Sequence, residues 1–184
     1  MSLCILSLDV SLVRTGLAVL VDGSLTATEV IETKDGWPRY QRLAAIYGDV
    51  AAYCALYSPD VIVIETSVRF GKQSRDSRNS VEALAQARGA ALAGADHWIR
   101  EHKATIVEVD PCDVKWAICG SRQATKAQVA ANLRLRGFDI PTMSNGRADL
   151  DVSDAAGAGL YIYLRDRLET LAREQGHLER IGEG

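Results

Sequence analysis

The chain has 184 residues, 47% of them hydrophobic and 24% charged, a composition typical of one compact domain with its own core. We expect a single domain over residues 1–184, with a core from about residue 3 to about residue 174 and a frayed C-terminal tail. The formal net charge of −3 argues against a protein that coats nucleic acid by bulk attraction. No run of about 18 apolar residues and no secretory leader is found, which predicts a cytoplasmic protein without membrane spans.

Three short apolar stretches open the chain. Residues 3–10, 15–21 and 25–33 are rich in residues that favour strands, and Asp22 and Gly23 form a turn signal between the second and third. Strands that follow each other through tight turns pair with their neighbours. The sequence therefore predicts an antiparallel meander.

A helix and a buried strand come next. After Pro38, apolar residues recur at three- and four-residue spacing as far as Tyr57, which predicts an amphipathic helix. Residues 61–64 form a continuous apolar run of the kind that is buried on both faces in a parallel sheet. Glu65 stands directly at its C-terminal end.

The middle of the chain alternates loop, helix and strand. Residues 66–79 are polar and basic without periodicity, which predicts a loop. An Ala-rich helix over about 80–101 and a fifth strand over 105–109 follow.

The C-terminal part is helical. Pro111 begins a short helix that Gly120 ends, and Thr125 caps a second helix that runs to about residue 136. Residues 138–150 are predicted to form a loop, and a final helix runs from Asp151 to roughly residue 174.

These elements predict an α/β protein of RNase H-like fold. Its mixed five-stranded sheet has the first three strands antiparallel and the fourth and fifth parallel, with helices on both faces.

Four acidic residues follow strands or open a helix in this arrangement. Asp9 follows the first strand, Glu65 ends the fourth, and Asp151 and Asp154 lie at i and i+3 at the start of the last helix. Four converging carboxylates repel each other strongly unless cations bind between them. Two divalent ions about 3.5 to 4 Å apart, held by carboxylates, are what phosphodiester hydrolysis needs, which predicts two Mg²⁺ or Mn²⁺ ions per site.

Each acid also has a structural interpretation. Asp151 and Asp154 are well placed as the N-cap and third residue of a helix, Asp9 as a turn residue, and Glu65 as the partner of an arginine. The Ala- and Gly-rich run after Asp154 would let that helix approach the sheet closely enough to bring the pair to Asp9.

Basic residues are concentrated in two segments. Between residues 69 and 88 they are Arg69, Lys72, Arg75, Arg78 and Arg88, and between residues 115 and 147 they are Lys115, Arg122, Lys126, Arg134, Arg136 and Arg147. These segments predict local contacts to DNA, although solvated surfaces give the same pattern.

From Ile5 to about Tyr163 the chain resembles the RuvC-type Holliday-junction resolvases. The matching stretches, in order, are ILSLDVSLVRTGLAV, YSPDVIVIE, ALAQARGAAL, VEVDPCDVKWAICG, ATKAQV and DVSDAAGAGL. The resemblance implies metal-dependent cleavage of four-way DNA junctions by direct attack of water. It further implies a homodimer, with the helix carrying Gln86, Ala87, Arg88 and Gly89 as the candidate contact, or else as an ordinary core-facing helix. The resemblance also leaves open a partnership with a branch-migration helicase.

The resemblance assigns roles to six residues. Asp9, Glu65, Asp151 and Asp154 match the four metal-binding catalytic acids of the family, with Asp9 expected to bridge the two ions. Lys126 is expected to stabilise transition-state charge, and Lys115 to position the DNA.

The sequence departs from the family pattern near two of the acids. Val10 and Ser11 stand where the family has Pro-Gly, and Val68 stands where it has an aromatic residue. Phe70 lies close by and is a candidate to stack on a base instead. These changes leave the preference among four-way junctions, forks and flaps open.

Three other functions remain open at this point. A non-catalytic nucleic-acid-binding module of the same fold would use the acids as caps and ion-pair partners. A nuclease acting on RNA or other branched DNA would keep the same site. An actin-like phosphotransferase shares the Asp and Thr-Gly pattern of Asp9 to Gly16, but that fold needs a longer chain.

Overall fold

The computed structural model describes residues 2–66 and 75–182, and the side chains within 2–66 and 80–174. Five strands and five helices are formed in these ranges. They are β1 (Cys4–Asp9), β2 (Arg14–Val21), β3 (Ser24–Glu32), α1 (Arg39–Tyr57), β4 (Val61–Glu65), α2 (Arg75–His102), β5 (Thr105–Val109), α3 (Pro111–Cys119), α4 (Lys126–Leu135) and α5 (Leu150–Gly182).

The strands form one sheet in the order β3-β2-β1-β4-β5. β1 pairs with β2, and β2 with β3, in antiparallel fashion, whereas β4 is parallel to both β1 and β5. Asp22 and Gly23 have positive φ angles of 50° and 79°, the backbone of a tight hairpin turn. The predicted mixed sheet is confirmed.

Helices cover both faces because side chains alternate across each strand. On β1, Leu6 and Leu8 pack with α1 and α2, whereas Ile5 belongs to the core formed with α3, α4 and α5. β4 divides in the same way, with Ile62 and Ile64 on the first face and Val63 on the second. Odd-numbered residues of β1 and β4 therefore face α5.

Two predicted boundaries are wrong. α2 begins at Arg75, five residues before the predicted start at residue 80, because its first turns are polar and carry no apolar periodicity to mark them. α5 continues to Gly182 where a frayed tail was predicted, since the segment after residue 174 contains good helix formers and no proline. Within the described residues, none of the helices is both long and apolar enough to cross a membrane.

Candidate active site

Two of the predicted acids leave the sheet side by side. Leu8 of β1 pairs with Ile64 of β4 in parallel register, and Asp9 and Glu65 are the next residue of each strand. Because side chains alternate along a strand, Asp9 and Glu65 lie on the face of the sheet that packs against α5. The register thus brings two carboxylates from distant parts of the chain to one edge of the sheet.

The first turn of α5 supplies the other two acids, and Asp149 caps it. Oδ1 of Asp149 accepts hydrogen bonds from the backbone N–H of Asp151 at 3.2 Å and of Val152 at 3.3 Å. The interpretation of Asp151 as the helix cap is therefore wrong, because Asp149 caps α5. Asp151 and Asp154 are left available for other contacts.

Glycines let α5 lie directly against the sheet. Gly16 pairs with Asp9 across β1 and β2, and a Cβ atom at Gly16 would come within 2.4 Å of the carbonyl oxygen of Asp151. A Cβ at Gly159 would lie 2.6 Å from the side chain of Leu20. The predicted close approach of the helix is confirmed, and it sets the start of α5 beside Asp9.

A pocket of about 180 Å³ lies where these elements meet. It is lined by Asp9, Glu65, Pro111, Val114, Lys115, Lys126, Val129 and Asp154. Lys126 is the first residue of α4, fixed by the capping box of Thr125 and Gln128. Its Nζ contacts Asp154 and lies 3.7 Å from Oδ2 of Asp9, so a cationic group already stands between two of the acids.

Burial and the proximity of like charges raise the pKa values of the acids in this pocket. Burial, followed by the charges of Asp9 and Asp154, raises the pKa of Glu65 to about 8. Burial raises the pKa of Asp9 to about 6 against the opposing charge of Lys126, and it raises the pKa of Asp154 as well. For Lys126, burial lowers the pKa, but the hydrogen bond and charge of Asp154 outweigh burial and raise it. The pocket therefore favours a bound cation, which would offset the repulsion.

Asp151 is turned to a different partner. Its Oδ2 accepts a hydrogen bond from Nε of Arg14 at 2.7 Å, and Asp151 is not among the residues that line the pocket. In the part of the chain that the structure describes, no three His, Cys, Asp or Glu side chains are gathered as the ligands of a metal ion. Three acids thus surround the pocket, and the fourth stands beside it.

The predicted DNA-contacting residues have different surroundings. Lys115 lines the pocket with Lys126. Arg88 is turned inward: its side chain is 15% exposed, it donates to the carbonyl oxygen of Glu65 at 3.1 Å, and it pairs with Glu108 at 3.2 Å. The side chains of Arg69, Phe70, Lys72, Arg75 and Arg78 lie outside the described residues.

The helix segment predicted for the dimer contact is divided between core and surface. Ala87 is fully buried and packs in the core between the sheet and α1. Gly89 is exposed and has no atom near the position of a Cβ. Val81, about two turns earlier in α2, is exposed as well. One side of α2 is therefore an ordinary core face, and only the other side is available to a partner.

Sequence reasoning missed Arg14 and Asp149. Arg14 is an even-numbered residue of β2, and the alternation that places Gly16 against α5 also turns Arg14 toward that helix. Asp149 directly precedes the first helical residue, which is the position that favours an aspartate cap. The cap signal of Asp149 was present in the sequence, but it required the first helical residue to be identified. The contact of Arg14 depends on which face of β2 meets α5, and local sequence patterns do not report this.

Residues 5–157 match the model of a protein family described as "Crossover junction endodeoxyribonuclease RuvC". A RuvC of Dictyoglomus turgidum is 29% identical over 154 residues, which cover 82% of this chain and 84% of that protein. A RuvC of Mycobacterium ulcerans is 34% identical over 133 residues, which cover 69% of this chain and 67% of that protein.

A solved structure of Thermus thermophilus RuvC in complex with a Holliday junction substrate superimposes with a TM-score of 0.74. The alignment covers 91% of this chain and 97% of that chain, at 20% sequence identity. At this level of identity the likeness concerns the fold. It agrees with the predicted sheet and its covering helices.

Proposed function

Because the chain belongs to the RuvC family of crossover junction endodeoxyribonucleases, we propose that it resolves four-way DNA junctions by metal-dependent hydrolysis of phosphodiester bonds. The reaction takes place at the pocket between the ends of β1 and β4 and the start of α5. In this proposal the whole chain forms one nuclease domain.

A single observation carries the proposal. Asp9, Glu65 and Asp154 come from three distant segments and line one pocket together with Lys126. Caps and ion pairs scattered over a surface would not produce such a convergence. A group of acids with raised pKa values in one pocket is typical of a functional site.

The donor chemistry suits Mg²⁺ or Mn²⁺. Carboxylate oxygens are the ligands that these ions prefer, and burial together with the charges of Asp9 and Asp154 raises the pKa of Glu65. Two bound ions would supply an activated water and neutralise charge on the attacking and leaving oxygens. Asp9, Glu65 and Asp154 would hold these ions, and Asp151 would complete the second site.

The two lysines act on the DNA. Lys126 stands beside Asp9 and Asp154 at the pocket, within reach of a phosphate bound there. We assign it to the negative charge that develops on the scissile phosphate. Lys115 lines the same pocket from α3 and holds the neighbouring backbone in position.

The wider setting is also part of the proposal. The exposed side of α2 is the surface that we assign to a homodimer, since two copies would place one active site on each side of a junction. A cytoplasmic location and a helicase partner are further predictions that accompany the proposed function.

The test is incubation of the purified protein with end-labelled four-way, three-way, flap and linear DNA, with and without Mg²⁺. We expect paired cuts in the four-way junction only when Mg²⁺ is present, with ends that a ligase can join. Equal cutting of flaps or linear duplex would make the protein a nuclease of broader specificity. Binding of the junction without any cutting in Mg²⁺ or Mn²⁺ would contradict the nuclease function.

A further inference from the structure

Arg14 is surrounded by acids at the start of α5. Its Nε donates to Asp151 at 2.7 Å, and its two terminal nitrogens pair with Asp149 and Glu32. The Arg14 side chain is 25% exposed, Asp149 is nearly buried at 7%, and Glu32 is mostly exposed at 66%. The planar guanidinium thus holds the helix cap and one predicted metal ligand with separate nitrogens.

The backbone fixes this arrangement. Gly16, two residues after Arg14 on the same face of β2, is in direct contact with the backbone of Asp151. Asp149 uses Oδ1 to cap α5 and Oδ2 to bind Arg14, so the guanidinium is tied to the helix through a buried carboxylate. Neither Arg14 nor the first turn of α5 can move without disturbing the other.

Arg14 therefore competes with the pocket for Asp151. The Asp151 carboxylate lies on the guanidinium and does not line the pocket that Asp9, Glu65 and Asp154 surround. The positive charge of Arg14 also opposes the approach of a second divalent cation to that side. We propose that Arg14 holds the Asp151 carboxylate away from the pocket and so weakens binding of metal at the second site. This inference rests on the proposed nuclease function.

The proposal makes Arg14 a positioning residue with a predictable effect on metal binding. Arg14→Gln removes the charge and releases Asp151, so the weaker Mn²⁺ site should bind about three- to tenfold more tightly, a change within the range of losing a partly exposed ion pair. Arg14→Lys keeps the charge, but its single ammonium cannot hold Asp149 and Asp151 through separate nitrogens. It should tighten the same site by a smaller factor.

The measurement is titration of the full-length protein with Mn²⁺ alone, following free Mn²⁺ by electron paramagnetic resonance without DNA. Thermal melts of each variant establish that it is folded. Glu32→Gln is the matched control: it removes an exposed partner of Arg14, leaves the Asp149 and Asp151 contacts in place, and should not change Mn²⁺ binding.

A double variant distinguishes the withholding of Asp151 from simple repulsion of cations by the charge of Arg14. If Arg14 acts by withholding Asp151, Arg14→Gln should tighten Mn²⁺ binding by a clearly larger factor in the wild-type background than in an Asp151→Asn background, where only the charge of Arg14 is removed. Equal tightening in both backgrounds, unchanged affinity, or weaker binding in Arg14→Gln would overturn the proposal that Arg14 withholds Asp151. Failure of the wild-type protein to bind any Mn²⁺ would instead overturn the proposed function.

Discussion

Asp154 is the acid most tightly engaged in the pocket, since it is 7% exposed and contacts the ammonium group of Lys126. Asp154→Asn keeps the shape of the side chain but removes its charge. We expect junction cleavage to fall by at least about a hundredfold because Asp154 is one of the proposed ligands of the metal ions. Junction binding, measured by gel shift, should remain.

The matched control for Asp154→Asn is Asp139→Asn, which makes the same change at an exposed position in the loop after α4. Asp139→Asn should cut at the wild-type rate. Cleavage by Asp154→Asn at that rate would remove Asp154 from the set of catalytic acids.

Glu65 makes the stability of the metal-free protein depend on pH. Its pKa is about 8 in the folded chain against an ordinary value of 4.5, so the folded state binds more protons between these values. The free energy of unfolding should therefore fall as pH rises from about 4.5 to about 8. Glu65→Gln should flatten this slope in chelator-treated protein, and Tm at pH 8 should rise by about 2 to 4 °C per kcal/mol of repulsion removed.

Added Mg²⁺ should raise Tm of the wild-type protein most at the upper end of this pH range, because the ion binds the deprotonated acids. Glu174→Gln, at an exposed position on α5, should keep the wild-type slope. A wild-type Tm that does not fall from pH 5 to pH 8 in chelator would contradict the raised pKa of Glu65.

The position of the acids could be predicted at the residue scale, but their partners could not. Strand ends and an i, i+3 spacing placed Asp9, Glu65 and Asp154 at one pocket. The contact of Asp151 with Arg14 depends on which face of β2 meets the first turn of α5. That contact is tertiary, and local sequence patterns do not encode it.

At the scale of elements, the close packing of β2 against α5 positions the site. Gly16→Ala would place a Cβ 2.4 Å from backbone atoms of Asp151, so the helix start must shift away from the sheet. We expect a loss of about 1 to 3 kcal/mol in the free energy of unfolding, as for overpacked cores. Cleavage should fall as well, since Asp154 moves with the helix.

Gly48→Ala in α1 is the control for Gly16→Ala, because no atom lies within 4 Å of its Cβ position. It should leave cleavage unchanged and add up to about 1 kcal/mol of stability, the usual helix preference for alanine over glycine. Denaturant melts and junction cleavage measure both variants. Wild-type stability in Gly16→Ala would contradict the close packing.

Element types were predicted better than element ends. The buried run before Glu65 and the apolar periodicity before Ser58 were strong signals, and β4 and α1 lie where they were expected. The start of α2 and the end of α5 are polar, so no periodic pattern marks them. Polar helix ends depend on local propensity and on neighbouring chain, which a pattern of apolar residues does not report.

At the scale of the whole molecule, a protein of net charge −3 must bind DNA through local positive surfaces. Junction affinity should therefore fall steeply with salt, because each phosphate contact by Lys or Arg releases counterions. A protein with about six to ten such contacts loses roughly 10³- to 10⁵-fold in affinity between about 50 and 200 mM salt. Fluorescence anisotropy in Ca²⁺ measures this, and a flat profile would contradict a basic binding surface.

We infer that acids from separate segments of chain hold divalent metal in one pocket. The most direct test is a crystal of the protein soaked in Mn²⁺ and examined by anomalous scattering. We expect a Mn²⁺ peak between the carboxylates of Asp9, Glu65 and Asp154, about 2.0 to 2.3 Å from their oxygens. A protein that cuts junctions in Mn²⁺ but shows its metal elsewhere, with none in this pocket, would contradict the claim.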